Sequence, residues 1–390
     1  MSATTDIAVV GAGIVGLSTA YAAVQQGLSV TVYDAAPPGS GQSTGQSRLF
    51  RHSHDDPRLV ALAVEGRELW RVWEDEFGVQ LVSEDGAVAL GQAVPDRLRT
   101  LADFPGLPVR PIDADEVAER IPLLAPYEGP AMLDEAGGAI RARAAIGTLT
   151  EHLRDSVVAD HVLSLRPTGS GTVEVRTGTG RHEHGHVLVC AGRGTPALAR
   201  GAGVSIPVRH DATMRVTFAV SGTPPSRLAT LQDGSGAFGE SGVYASPYPG
   251  NDRYAVGVSA HVPAGEDGSL ADPAQLAAIT DRTADYVARA LPGLDPVPVG
   301  YVHCWTTELP WAADGIAVWE TPGVSFLAGH NLFKHAPALG GALVRSVLGD
   351  PLREDLRPES RLGDPGRRID WRVAEGRTGH EAYATRHVTR

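Results

Sequence analysis

Cysteine is scarce in this sequence, which contains only Cys190 and Cys304 among 390 residues. Two thiols form at most one disulfide bond, so a disulfide-stabilised scaffold is excluded, and so is a thiolate-rich zinc or iron–sulfur site. So few cysteines are typical of a reducing compartment. We therefore predict a cytoplasmic protein without a metal centre.

Positively charged residues are fewer than acidic ones, and long apolar runs are absent from the sequence. The chain has 34 Lys and Arg against 46 Asp and Glu, a formal net charge of −12, whereas nucleic-acid binding relies on neutralising phosphates. There is no run of about 18 apolar residues to cross a bilayer, and residues 1–6 lack the basic start of a secretory signal. These absences predict neither a nucleic-acid partner nor membrane association.

A glycine-rich turn lies between two strand-like apolar runs, 7–10 and 28–33. Glycines at this spacing allow a tight turn, a close approach of the backbone to a pyrophosphate and close packing of the following helix. Asp34, at the end of the second run, is placed to accept a hydrogen bond from a ribose hydroxyl. The pattern predicts a site for FAD or NAD and does not choose between them. The turn residues of this site are Gly11, Gly13, Ile14, Val15 and Gly16.

The loop that follows Asp34 is long and rich in small residues. It spans residues 37–52 and leads to Arg48 and Arg51. Because these arginines are three residues apart, one helical turn would place them on the same face.

Two later apolar runs are predicted to return to the same sheet. The run 186–190 ends in a glycine turn at Gly192, and the run 323–329 precedes a helical segment at 342–348. Strand–loop–helix units at the carboxyl edge of a sheet are favoured places for ligand contact. Cys190 lies inside the first run and is predicted to be a core residue.

The segments between the runs that form this sheet have a different pattern. Alternating strand-like runs, such as 212–220 and 253–259, predict an antiparallel sheet. We predict an α/β + α+β fold in which a Rossmann-type cofactor domain is interleaved with an antiparallel-sheet substrate domain. The predicted boundaries are 1–85, 139–205 and 301–362 for the cofactor domain, 86–138 and 206–300 for the substrate domain, and 363–390 for a polar C-terminal tail.

Three short motifs occur in order along the chain. They are the glycine-rich turn together with Ser47–His52 (SRLFRH), the stretch 303–310 (HCWTTELP) and the turn 329–334 (GHNLFK). They resemble the Thr-Arg-Ile-Ile-Arg-His run, the Cys-x-Tyr/Trp-Thr stretch and the Gly-x-Gly-Phe-Lys turn of the sarcosine oxidase and N-methyltryptophan oxidase family, which are amine-oxidising flavoenzymes. The resemblance covers residues 5–362.

The resemblance implies a Rossmann-type FAD-binding domain and an enzyme that oxidises a C–N bond of a secondary or cyclic amine or amino acid to an imine, with oxygen as acceptor. It implies FAD attached covalently through Cys304, although a cysteine inside a strand also fits a packing role. Arg51 and Lys334 would bind the substrate carboxylate. Arg48 would lie near the flavin, and Tyr244 would line the substrate pocket.

Further residues are assigned to the cofactor by the glycine-rich pattern and the resemblance. The helix that begins after the third motif would direct its N-terminus at the flavin pyrimidine. A monomer or weak homodimer is expected. The residues in this group are Asp34, Ser43, Ser47, Arg48, Gly192, Cys304, Gly329, His330, Leu332, Phe333 and Lys334.

The sequence departs from the family on the strand that follows Tyr244. Family oxidases carry a lysine there that helps reduced flavin react with oxygen, and an ungapped comparison puts Ala255 at that place. A family pocket histidine falls near Ser259, with His261 close by. Arg253, two residues before Ala255, is predicted to share its strand face and to supply the missing charge.

Three other functions share features with the amine oxidase. A tailoring oxidase or dehydrogenase with poor oxygen reactivity, acting on a cyclic or peptide-like metabolite, stays open because the lysine is missing. An aromatic hydroxylase would show a Gly-Asp turn near residue 329, and this sequence has none there. A flavin-binding protein without enzymatic activity has no need for charged residues such as Arg51 and Lys334 at the reactive ring.

Overall fold

The structure is a computed structural model that describes residues 5–366. Within this range the α-helices are α1 (Ile14–Gln25), α2 (Pro57–Phe77), α3 (Val94–Leu101), α4 (Ala114–Arg120), α5 (Ala142–His152), α6 (Thr195–Gly201), α7 (Pro273–Ala290) and α8 (Ala336–Val347). The strands are β1 (Thr5–Val10), β2 (Val30–Asp34), β3 (Arg48–Phe50), β4 (Ala87–Leu90), β5 (Val109–Ile112), β6 (Ala131–Asp134), β7 (Gly138–Ile140), β8 (Val157–Ala159), β9 (Val162–Pro167), β10 (Val173–Thr177), β11 (Arg181–Val189), β12 (Arg209–Val220), β13 (Thr230–Asp233), β14 (Val243–Pro247), β15 (Arg253–Val258), β16 (Val262–Pro263), β17 (Leu294–Glu308), β18 (Ile316–Thr321) and β19 (Val324–Gly329). None of these helices is both long and apolar enough to cross a membrane.

The first sheet has a parallel core in the order β19-β11-β1-β2-β8, with β18 antiparallel at one edge. The apolar residues of β1 are buried, as expected for a parallel strand covered on both faces. Helices α1 and α8 pack against each other over one face. Gly340 allows this packing, because a Cβ at that position would lie 2.7 Å from the carbonyl carbon of Ser18 in α1.

The second sheet has nine strands, and all its pairs are antiparallel except that of β4 with β13. Helix α7 covers one face and buries Leu276, Ile279 and Tyr286 against the sheet. The long strand β17 pairs with β12 from Glu308 opposite Arg209 back to Leu294 opposite Val220. Residues 301–308, which we predicted to lie in the cofactor domain, therefore lie in the second sheet.

The chain alternates between the two sheets. The first sheet takes its strands from residues 5–34, 157–189 and 316–329, and the second takes its strands from 87–134 and 209–308. Between the sheets, β3 pairs with β7 in a small two-stranded sheet. The prediction that one helical turn aligns Arg48 and Arg51 is wrong, since Arg48 begins this strand.

The predicted C-terminal tail lies largely outside the described residues. Its first residues are held in place, because the Gly363 amide donates to Asp56 at 2.8 Å. Arg58 also donates to the carbonyl of Asp364 at 3.4 Å.

Candidate cofactor and active site

A cavity of about 1200 Å³ lies between the two sheets. It extends from the glycine-rich turn after β1 to the turn after β19, and its walls come from both sheets and from the loop between β2 and β3. The predicted site residues on its walls are Gly11, Gly13, Ile14, Val15, Asp34, Ser43, Arg48, Arg51, Gly192, Tyr244, Cys304, Gly329, His330, Leu332, Phe333 and Lys334.

The glycine-rich turn has no space for a side chain at Gly11 or at Gly16. Gly11 has a φ of +105°, and a Cβ there would lie 2.5 Å from the carbonyl oxygen of Cys190. A Cβ on Gly16 would collide with the carbonyl of Gly11. The turn therefore brings backbone, rather than side chains, to the cavity at the start of α1, where helical N–H groups favour anions.

The first turn of α1 receives its cap from a different segment. Its N-cap residue, Gly13, has no side chain, and the Ser43 hydroxyl instead accepts a hydrogen bond from the Ile14 amide at 2.9 Å. Ser43 lies in the loop between β2 and β3. The loop and the glycine-rich turn are therefore fixed to each other.

Asp34 ends β2 at the same edge of the cavity. One carboxylate oxygen accepts from the Ala12 amide at 2.7 Å, and the other accepts from the Ala36 amide at 2.9 Å. Each carboxylate oxygen has a second lone pair. The side chain is thus oriented by the turn and still able to accept hydrogen bonds from a ligand.

Arg48 meets a second arginine, Arg215, at the middle of the cavity. Both donate to the carbonyl oxygen of Ser47, at 2.9 Å from Arg48 and 2.8 Å from Arg215. Arg48 also donates to the carbonyls of Gln42 and Thr44. Burial, followed by the charge of Arg215, lowers the pKa of Arg48 to about 9.

Charged groups also converge at the far end of the cavity. Asp314 lies 3.5 Å from Arg51 and 3.4 Å from His54, and it accepts a hydrogen bond from Asn331. Burial alone would raise the pKa of Asp314, but the His54 hydrogen bond and the charges of Lys334 and Arg51 hold that pKa well below its ordinary value. The carboxylate is therefore ionised.

Lys334 completes this end and is 5% exposed. Its ammonium group donates to the Asn331 carbonyl at 3.4 Å. Burial, followed by the charge of Arg51, lowers the pKa of Lys334 to about 7, and Asp314 opposes the shift. Burial and the charges of Arg51 and Lys334 also hold the pKa of His54 well below its ordinary value, so this imidazole is neutral.

Cys304 lies on β17 opposite Thr213 of β12 and lines the cavity. Its Sγ is 3.7 Å from the carbonyl oxygen of Val302. Tyr244 lies on β14 opposite Gly257, and its ring occupies the space where a Cβ on Gly257 would be. Burial raises the pKa of Tyr244, so the phenol keeps its proton.

Cys190 has a different environment. It is 8% exposed and belongs to the core of the first sheet, and burial raises the pKa of its thiol to about 12. The predicted role of Cys190 as a core residue is consistent with this environment. Two residues later, Gly192 has a φ of +54°, and the Gln42 side chain occupies the space where a Cβ would be.

Comparison with known proteins identifies the family. The family model described as FAD dependent oxidoreductase matches residues 6–346. This chain belongs to that family. The human peroxisomal sarcosine oxidase is 26% identical over 389 aligned positions, covering 90% of this chain and 94% of that protein. The N-methyl-L-tryptophan oxidase of Yersinia pestis is 26% identical over 200 positions, covering 48% of this chain and 53% of that protein.

Solved structures show the same fold. NikD, described as an unusual amino acid oxidase essential for nikkomycin biosynthesis, matches with a TM-score of 0.77 and 19% identity, covering 93% of this chain and 97% of its own. The L-proline dehydrogenase of P. horikoshii has the same TM-score and identity, with coverages of 97% and 100%. The predicted fold class and the predicted likeness to sarcosine and N-methyltryptophan oxidases are confirmed, and the chain is an FAD-dependent oxidoreductase.

The cavity of this FAD-dependent oxidoreductase fits its cofactor. At one end the glycine-rich turn offers backbone for a pyrophosphate, and Asp34 offers acceptors for a ribose. Between this end and the charged end, Arg48, Tyr244 and Cys304 line the space for a flavin ring. FAD would supply the redox chemistry there.

Three predicted residues do not reach the cavity. Gly16 packs behind the glycine-rich turn, and Ser47 is fully buried with its carbonyl turned to the two arginines. Arg253 is the third, which corrects its predicted place beside the flavin: its side chain is 53% exposed and lies 3.8 Å from Asp252. It shares a strand face with Ala255, but it begins β15, and it is the opposite end of that strand that leads to Ser259 on the cavity wall.

Three further charged or titratable residues on the cavity wall were not predicted from the sequence: Arg215, Asp314 and His54. A signal was present for Arg215, which is the only charged residue in the run 212–220, where the other residues are apolar or small and polar. Asp314 lies in the loop before β18, where nothing in the local pattern marks it. Long-range packing alone brings it to Arg51.

Ser259 and His261 both line the cavity. Glu308 lies 3.6 Å from His261. Side-chain atoms of Asp211, His261 and Glu308 that could bind a metal ion lie within 4.8 Å of one another. Arg209 pairs with Asp211 at 2.7 Å and with Glu308 at 3.4 Å. The group is therefore an ion-pair network around an arginine.

Proposed function

We propose that this enzyme oxidises the C–N bond of a secondary or cyclic amino acid to an imine. Two electrons and two protons leave the substrate in this reaction, and FAD supplies the electron acceptor. The observation that carries the proposal is the pair of cations at the far end of the cavity, Arg51 and Lys334, held beside Asp314. A carboxylate next to the reacting carbon is what such a pair would bind.

The protein's own residues would position the substrate. Arg51 offers a planar fork that suits a carboxylate, and Lys334 adds a point charge. In the free site Asp314 keeps the Arg51 guanidinium oriented, and it competes with the substrate carboxylate for it. Tyr244, as a neutral phenol, would form part of the pocket wall beside the reacting carbon.

The test is anaerobic bleaching of the purified holoenzyme by a panel of N-methyl and cyclic amino acids. We expect at least one of them to remove the oxidised flavin absorbance, and its carboxylate-free amine analogue to do so far more slowly. An analogue that bleaches the flavin at the same rate would contradict the carboxylate-binding role. A protein that no amine bleaches would contradict the reaction itself.

We also propose that Cys304 forms a thioether with the 8-methyl carbon of the flavin. The Cys304 thiol and the methyl group would each lose one hydrogen, and the flavin would take up the two electrons and pass them to oxygen. The position of the thiol on the cavity wall supports this. After acid denaturation and filtration, the yellow chromophore should stay with the wild-type protein and pass into the filtrate from Cys304→Ser. Free chromophore from the wild type would refute the bond.

Oxygen is the proposed acceptor, with one competing candidate. The small side chain of Ala255 on the buried face of β15 favours a tailoring oxidase or dehydrogenase, acting on a cyclic or peptide-like metabolite, with poor oxygen reactivity. Stopped-flow mixing of the reduced enzyme with air-saturated buffer separates the two. Reoxidation no faster than that of free reduced flavin would favour the dehydrogenase.

A cytoplasmic monomer or weak homodimer is the proposed state of the enzyme. Cys190 and Cys304 form no disulfide bond with each other, which agrees with a reducing compartment. Light scattering across a range of protein concentrations tests the oligomeric state.

A further inference from the structure

Two guanidinium groups meet in the middle of the cavity. Arg48 and Arg215 donate to the same carbonyl oxygen, that of Ser47. A Cβ on Gly45 would lie 2.5 Å from Arg215 and 3.0 Å from Arg48, so the two side chains also share the space that this glycine leaves. Like charges are therefore held side by side in a buried place.

No carboxylate lies within 4.0 Å of either guanidinium in residues 5–366, although other arginines lining the cavity, such as Arg51 and Arg209, have acidic partners. Arg215 is only 4% exposed, and its Nε has no hydrogen-bond partner among the same residues. Buried charges are ordinarily paired, because an unpaired charge keeps its full desolvation cost. The arrangement thus lacks an anion.

The strand direction points Arg215 at the flavin space. Thr213, Arg215 and Thr217 are two residues apart on β12 and share one face. Thr213 is opposite Cys304 and Thr217 is opposite Ala255. Arg215 therefore lies between the proposed attachment point and the strand position where the sequence has only a methyl group. Both Thr213 and Arg215 line the cavity.

We propose that Arg215 is a second cation of the flavin site and that, with Arg48, it stabilises the negative charge that FAD gains on reduction. Uptake of two electrons and one proton leaves the isoalloxazine anionic. A fixed positive charge in a buried site lowers the free energy of that anion more than it would in water. The inference concerns the cofactor and goes beyond the proposed substrate class.

The experiment measures the two-electron reduction potential of the holoenzyme, together with the affinity for sulfite, which adds to oxidised flavin and leaves it anionic. For Arg215→Gln we expect the equilibrium constant for reduction to fall about tenfold, equivalent to about 30 mV, and sulfite affinity to fall by about the same factor. Arg215→Lys should retain most of both. The matched control is Arg253→Gln, which removes an exposed arginine from the neighbouring strand β15 and should change neither quantity.

FAD content is measured for every variant, so that loss of the cofactor is distinguished from a change in potential. An Arg215→Gln holoenzyme with unchanged potential and sulfite affinity would overturn the proposal, even if its KM for an amino acid had risen. If that variant does not fold, Arg215→Met preserves the apolar stem and is judged by the same two measurements. If neither folds, Arg215→Lys decides: because it keeps the charge, both quantities should stay close to those of the wild type, and a tenfold fall in both would overturn the proposal. None of these readouts uses an amine substrate, so failure of the proposed C–N oxidation would leave this test intact.

Discussion

The two ends of the cavity are built in different ways. The end formed by Gly11, Asp34 and Ser43 comes from one continuous stretch of chain and presents mainly backbone. The opposite end takes Arg51, Asp314 and Lys334 from three separate segments and presents charged side chains. The first end is suited to a part of the cofactor that does not react, and the second is suited to the orientation of a substrate.

The difference has an energetic consequence. A backbone turn without space for a Cβ cannot adjust to a side chain, so damage there should abolish cofactor binding. The charged end has several groups that share one task. Loss of a single one should weaken substrate binding and leave the cofactor in place.

The largest effect is expected for Gly11→Ala. The new Cβ would be forced to within 2.5 Å of the Cys190 carbonyl at a φ of +105°. We expect the purified variant to contain less than about a tenth of the wild-type FAD, as measured by absorbance after denaturation.

Gly27→Ala is the matched control for Gly11→Ala. Gly27 has a φ of +78°, and nothing lies within 4 Å of the position of its Cβ. Backbone strain alone should cost it about 1 kcal/mol of stability, with normal FAD content. Normal FAD content in Gly11→Ala as well would show that the turn tolerates a side chain, and the contrast between the two ends would then fail.

Sequence patterns predicted one end of the cavity better than the other, because the two ends depend on different kinds of contact. Gly11, Gly13 and Asp34 act through local geometry, which the spacing of residues along the chain determines. Arg51 and Lys334 were found only through resemblance to a family. Asp314 was missed because its contact with Arg51 depends on packing across the fold.

The correction at Arg253 illustrates the limit of strand periodicity. Alternation correctly gives the face that a residue shares with Ala255, but it does not tell how far along the sheet the cavity extends. The cation that does reach the cavity, Arg215, lies on the adjacent strand β12. Strand pairing, which one sequence does not reveal, decides between the two arginines.

At the charged end, Arg51→Met should raise the KM for a reactive amino acid about 100-fold, equivalent to about 2.7 kcal/mol. The reason is loss of the planar carboxylate contact, which Lys334 alone cannot replace. FAD content and the flavin spectrum should be unchanged. Steady-state kinetics measure the effect, with Arg253→Met as an exposed control. An Arg51→Met enzyme that lost its FAD would show that the two ends are not separable.

A smaller effect concerns pH at the same end. The pKa of Lys334 is lowered to about 7, so this cation loses its proton as the pH rises through that value. Binding of a carboxylate favours the protonated form, and affinity should therefore fall about 15-fold in total between pH 7 and pH 8.5. Propionate, which has no amine to titrate, is the probe, and its binding is followed by the flavin spectrum. Lys334→Met should bind propionate weakly at every pH, and an equally steep pH profile in that variant would assign the titration to another group.

The smallest effect concerns the junction between the glycine-rich turn and the loop after β2. Ser43→Ala removes the acceptor for the Ile14 amide, a loss of about 1 kcal/mol for a helix cap, or about a fivefold change in affinity. The measurement is made in a Cys304→Ser background, so that FAD exchanges freely and its Kd is defined. Ser43→Thr retains the hydroxyl and should restore tight binding. A loss as large as that of Gly11→Ala would mean that the loop, and not the turn, holds the pyrophosphate. A modest loss would instead support the contrast between backbone at one end and side chains at the other, with the Ser43 hydroxyl and the Asp34 carboxylate as the side chains that hold the turn in place.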